Sequence, residues 1–167
     1  MTRINLSHSL DYLGFDAATR AVLSRYRDYV LDLLPAVIDD FYLHVGDFPD
    51  IARHFDLLPS LDHGKQLQFG HWRRLLSLDF DEAYIQAAER IGHAHFRLGI
   101  QARDHIGAYG YLQSVLTRAI ARTFTLRFAD SPCDEALDLT RALNLLVSLD
   151  VQVTLGAYVE DGASIYL

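Results

Sequence analysis

The sequence predicts an all-α domain, and three observations carry that prediction. Its four prolines, Pro35, Pro49, Pro59 and Pro132, fall where helices can begin; there a missing N–H costs nothing and the fixed φ already suits the helix. Serine and aspartate precede several amphipathic runs at the spacing of helix N-caps. Alternation with the two-residue period of a strand occurs in one stretch alone, and no second stretch offers it a partner.

Taken in order, residues 1–15 read as a loose N-terminal extension before a helical core over 16–160. Asp16 caps a first helix near 16–33, and Pro35 opens a second over 35–46. Pro49 stands at the start of a third, 48–57. Ser60, following Pro59, caps 61–77, and Asp81 caps 81–98. Two long helices follow at 102–128 and 132–160, the last introduced by Ser131-Pro132-Cys133-Asp134 in the pattern of a capping box.

Within that last helix, Leu149, Val151, Val153 and Leu155 alternate with Asp150, Gln152 and Thr154. An isolated strand cannot satisfy its backbone, whereas a helix buried on two sides also shows apolar residues around most of its circumference. From Leu143 to Val159, 11 of 17 residues are apolar. This helix is therefore expected to pack inward on the core and outward on a second copy of the chain.

The 167 residues carry 15 Lys+Arg against 22 Asp+Glu, a net charge of −7, and half of them are hydrophobic. A chain of this size buries roughly 70% of its unfolded surface as one domain. We find no repeat, low-complexity tract or linker, so 1–167 is read as a single domain. The one cysteine, Cys133, excludes an intramolecular disulfide framework and a cysteine-cluster zinc site. Its place beside a proline at a helix start does not suggest a nucleophile. The acidic balance, with Lys65 the sole lysine, argues against nucleic acid as partner, since phosphate binding needs clustered positive charge. Without a secretory leader or a run of about 18 apolar residues, the chain is expected to be cytoplasmic, away from any membrane.

Eight histidines are many for this length. His8 lies in the N-terminal arm, and His44, His54, His63 and His71 stand among charged neighbours and read as solvated surface. His93 and His95 are informative, because residues two apart on a helix point roughly 200° away from each other and cannot chelate one ion together. His95 shares its face with Ala88, Ile91, Leu98 and Gly99, while His93 sits with Glu89, Arg90 and Arg97. His95 is thus expected to be the buried one, and a buried imidazole needs hydrogen-bond partners or a metal. Glu-x-x-His pairs for a di-iron site, the His-Glu-x-x-His of metalloproteases, a Gly-x-Ser-x-Gly elbow and a phosphate-cradling glycine loop are all missing. One histidine in an apolar helical pocket is what a heme needs, since the macrocycle supplies four nitrogens and the protein a fifth ligand. A core histidine satisfied by protein atoms is the other reading.

The stretch Arg90-Ile91-Gly92-His93-Ala94-His95-Phe96-Arg97-Leu98-Gly99-Ile100, followed by Gly107-Ala108-Tyr109, resembles the proximal-histidine region of the globin-coupled sensors, the heme-containing globin domains of bacterial oxygen sensors. The resemblance extends over about 15–160. It also rests on Asp39-Asp40-Phe41-Tyr42, on His71-Trp72-Arg73, on the Asp79-Phe80-Asp81 helix start and on the interval from Tyr42 to His95. It implies a globin-like fold with heme b (iron protoporphyrin IX) held through His95 as proximal iron ligand. Tyr42 would be the distal hydrogen-bond donor to O2. Phe48, Phe55, Phe69, Ile91 and Leu98 would be candidates to pack on the macrocycle, each with a plain core reading beside it.

Two positions depart from the pattern. Where family members often carry a tyrosine early in the helix after the proximal histidine, this sequence has His105. Where they tend to have an apolar distal residue, it has Lys65, which either snorkels to a heme propionate or water, or reaches the distal pocket and competes with Tyr42.

The function so implied is sensing of O2 or another diatomic gas, with no catalysis by this domain. The signal would pass through a homodimer built on helices 102–128 and 132–160 to an output domain such as a diguanylate cyclase, histidine kinase or chemotaxis transducer. The alternatives are a cofactor-free helical dimerisation module and a heme globin with oxygen or NO chemistry.

Overall fold

Helix caps organise the first half of the chain. In the computed structural model, the backbone is described over 4–132 and 134–165, and side chains over the same range except 160 and 162–165. Residues 4–15 are no loose arm. Asn5 accepts the His8 N–H at 3.1 Å and opens α1 (Leu6–Leu13), and Gly14 closes it in the left-handed region at φ 69°. Ile4 and Leu6 pack on the core, and α1 lies against the last helix. The cap was readable in Asn5; the anchoring depends on an element far away in sequence.

The Asp16 carboxylate accepts both the Thr19 N–H at 2.8 Å and its hydroxyl at 2.7 Å, starting α2 (Ala17–Arg25). Here the expected helices 16–33 and 35–46 are redrawn. The break falls at Tyr26, and α3 runs through Pro35 from Arg27 to Gly46. Tyr26 is pinned edge-on between Phe124 and Phe128, each centroid 5.0 Å away, and its hydroxyl donates to Glu135. Tertiary packing thus sets the boundary, and α3 tolerates one missing backbone donor at Pro35. The expected helix 48–57 is a single turn, α4 (Pro49–Ala52), followed by a 3₁₀ segment, Arg53–Leu57.

Ser60 and Asp81 cap α5 (Leu61–Leu75) and α6 (Glu82–Arg97), accepting the N–H groups of His63 at 3.1 Å and Tyr84 at 2.8 Å. The long helices are α7 (Ala102–Arg127) and α8 (Glu135–Ile165). The Ser131–Asp134 capping pattern and the reading of Cys133 involve a position outside the described residues. The alternating stretch 149–155 is helical, and the described residues include no strand.

Helix α8 is the axis of the fold, packed against α1, α2, α6 and α7. Leu139, Leu146, Leu149, Asp150 and Thr154 on it are completely buried. Its inward apolar face is thus covered by its own chain, as expected of the core-facing side. Over Glu135–Val159 it is long and apolar enough to cross a membrane by length and composition, but 56% of that window lies inside the fold. The closest approach in the bundle is at Gly92 of α6. A Cβ there would stand 2.2 Å from the Thr154 carbonyl oxygen and 2.7 Å from the Ala157 Cβ, so only glycine lets α6 lie on the α8 backbone.

Candidate functional site

His95, the candidate ligand, stands on the last turns of α6. His95 donates from Nδ1 to the Ile91 carbonyl at 2.8 Å. This hydrogen bond fixes the tautomer, leaving Nε2 with its lone pair. Burial pushes the His95 imidazole below its ordinary value and outweighs the Ile91 hydrogen bond, so it stays neutral at neutral pH. The turn after it is a Schellman motif. Gly99, at φ 77°, donates its N–H to the Phe96 carbonyl at 2.9 Å, and Ile100 donates to the His95 carbonyl at 3.0 Å.

His95 is half-buried rather than sealed in the core as expected, and His93 is half-buried too, paired through Nδ1 with Asp161 at 2.9 Å. The helix face put His95 inward, but the face ends at the α6–α7 corner, where the interior is open. An exposed pocket of about 370 Å³ lies there, with Phe48, Arg53, His54, Gly99 and Arg103 in its walls.

Behind His95 stands His105 of α7, the ring centroids 5.0 Å apart. His105 is 4% exposed, and its Nε2 lies 3.0 Å from Thr154 Oγ1. The threonine hydroxyl donates to the Asp150 carbonyl at 3.1 Å, so it accepts from His105, and Nε2 carries the proton. Burial pushes the His105 imidazole down to about 4. The departure at this position therefore places a neutral histidine tied to α8 next to His95.

Tyr42 of α3 is half-buried against Phe55, the centroids 4.9 Å apart. Its hydroxyl lies where a Cβ on Gly64 of α5 would meet it at 2.8 Å. Among the described residues no hydrogen-bond partner is found for it, and burial raises its phenol above the ordinary value. Lys65 pairs with Asp39, its Nζ 2.7 Å from Oδ1, and the same Nζ lies 5.9 Å above the Tyr42 ring.

The aromatic and aliphatic candidates divide. Phe55, Phe69 and Ile91 are half-buried. Phe48 and Leu98 are 47% and 37% exposed, and the ring next to Phe48 is His44 at 5.0 Å. Phe48 is the N-cap of α4 and Leu98 the C-cap of α6.

Sequence reasoning missed the most connected polar residue. Asp150, wholly buried on α8, accepts from Tyr84 of α6 at 2.9 Å and from Tyr109 of α7, and pairs with His71 Nε2 of α5 at 2.7 Å. Burial opposes its ionisation, but the His71 imidazole and the two phenols outweigh it and hold the carboxyl below its ordinary value. His71, read from its neighbours as solvated, has a side chain only 10% exposed. The usable signal was Asp150 and Thr154, four residues apart on one face of an otherwise apolar helix.

Because its folded-state value is depressed, Asp150 contributes stability that is complete above the ordinary carboxylate range and lost as pH falls through the folded value. Asp150→Asn should therefore cost about 3 kcal/mol in urea unfolding at neutral pH. The gap to wild type should narrow in acid; a gap that widens there would mean the carboxylate is not what stabilises the junction.

Helices packed around α8, with no strand among the described residues, have the arrangement of a globin domain. The fold matches the globin domain of the Geobacter sulfurreducens globin-coupled sensor with a TM-score of 0.78 at 18% identity, over 95% of this chain and 99% of that one. Likeness at that identity speaks for the fold. The sequence model of the protoglobin family matches residues 4–164, and the chain belongs to that family. No curated protein matches it in sequence.

Proposed function

We propose that this domain binds heme b through His95 and senses O2 or another diatomic gas, with Tyr42 as distal hydrogen-bond donor. The observation that carries the reading is the His95 ring, with Nδ1 committed to the Ile91 carbonyl and Nε2 left as a neutral nitrogen donor. A bound heme supplies four pyrrole nitrogens and an iron with one position for the protein and one for a gas. The residues present suit that group. His95 would hold the iron, and Phe55 and Phe69 offer half-buried rings. Arg53 and Arg103 in the open pocket are charge partners for two carboxylates.

Tyr42, whose hydroxyl has no partner among the described residues, can donate to a ligand carrying partial negative charge. Tyr42→Phe should then speed O2 release about tenfold, the effect of one hydrogen bond in a dry pocket. Stopped-flow dissociation measures it, and an unchanged rate would assign the donor role elsewhere. A cofactor-free module would have both His95 nitrogens satisfied by protein; among the described residues a partner is found for Nδ1 alone.

Signalling would run through α7 and α8 to an output domain in the cytoplasm, with those helices pairing in a homodimer. Leu126, Leu137 and Val159, at 82%, 70% and 55% exposed, supply apolar contacts on them. The deciding test is the visible spectrum after incubation with hemin. An intense Soret band at one heme per chain is expected; a folded, colourless chain that takes up none would end the proposal.

A further inference from the structure

We propose that Asp150 is a positioning residue through which the helices around the cofactor crevice act on α8. This rests on the heme reading above and assigns its route of transmission. The carboxylate lies where α5, α6 and α7 meet α8, and it draws one polar side chain from each: His71, Tyr84 and Tyr109.

Its helix is tied to the proximal ligand one turn further on. Thr154 accepts from His105, whose ring faces His95, and the Thr154 carbonyl is the group that Gly92 approaches most closely. His105 and Tyr109 lie one turn apart on α7, their rings 5.1 Å apart. Displacement of the end of α6 therefore reaches α8 at two points, by backbone contact at Thr154 and by hydrogen bonds at Asp150. A fully buried carboxylate holding three partners has no solvent to take up the slack when one of them shifts. Either the hydrogen bonds break or α8 follows.

The test is hydrogen–deuterium exchange of the heme-loaded, ferrous chain with and without carbon monoxide, following peptides that span 146–157. Wild type, Asp150→Asn and Tyr109→Phe are compared, with the Soret band read in parallel. We expect the gas to change α8 exchange in wild type, and that response to fall at least about threefold in both variants while heme uptake is kept. A purely structural role for Asp150 would lower stability without uncoupling α8 from the gas. Should Asp150→Asn fail to fold, Tyr109→Phe, which removes one hydroxyl and keeps the ring, decides alone. A heme-loaded wild type whose α8 ignores the ligand, or a Tyr109→Phe protein that responds in full, overturns the assignment and leaves the heme reading standing. A chain that takes up no hemin overturns both, and the absent Soret band identifies that case.

Discussion

Replacing His95 with alanine is expected to abolish the Soret band, lowering hemin affinity by at least about a hundredfold, since the proposed protein ligand to the iron is removed. The fold should survive. The Ile91 carbonyl that accepts the imidazole is also positioned to accept a backbone N–H inside α6, so losing the ring orphans no buried acceptor. The expected stability change is about 1 kcal/mol. Added imidazole should restore the band by filling the vacated space. Two measurements separate the outcomes: hemin titration followed at the Soret wavelength, and urea unfolding of the heme-free protein. Unaltered uptake by His95→Ala would mean another residue holds the cofactor.

Gly92→Ala is the second large effect. Alanine in a helix interior normally gains about 1 kcal/mol over glycine. Here its Cβ would sit 2.2 Å from a carbonyl oxygen and 2.7 Å from another Cβ, both on α8. Neither is the far end of a flexible side chain, so the helices must separate, and the net cost should be at least about 3 kcal/mol. The same separation moves His95 and His105 relative to Thr154, so hemin affinity should fall although no ligand has been touched. A urea midpoint equal to wild type would show that α6 and α8 do not meet as closely as described.

How much of this was legible in the sequence depends on the range of the forces involved. Caps act over three residues, so Asp16, Ser60 and Asp81 marked true helix starts. Helix geometry is also local, and it separated His95 from His93, which take different partners, the Ile91 carbonyl and Asp161. The break at Tyr26 was not legible, for it depends on Phe124, Phe128 and Glu135, about a hundred residues away. Pro35 misled for the same reason: a proline favours a helix start, but packing of both halves of α3 on the core carries the helix through it. His71 looked solvated because its neighbours in sequence are charged, whereas its neighbour in space is Asp150. The half-burial of His95 was hidden because a helical face indicates which way is inward and not whether the inside is filled.

The Schellman turn at Gly99 has a mechanical consequence. The imidazole is anchored through Nδ1 to the preceding turn, and the carbonyl of the same residue is clasped by Ile100 in the turn that follows. Held fore and aft, the ring has little freedom to swivel when something tugs on Nε2. A pull on that nitrogen would be passed to the terminal segment of α6, for which the glycine contact with α8 would serve as fulcrum.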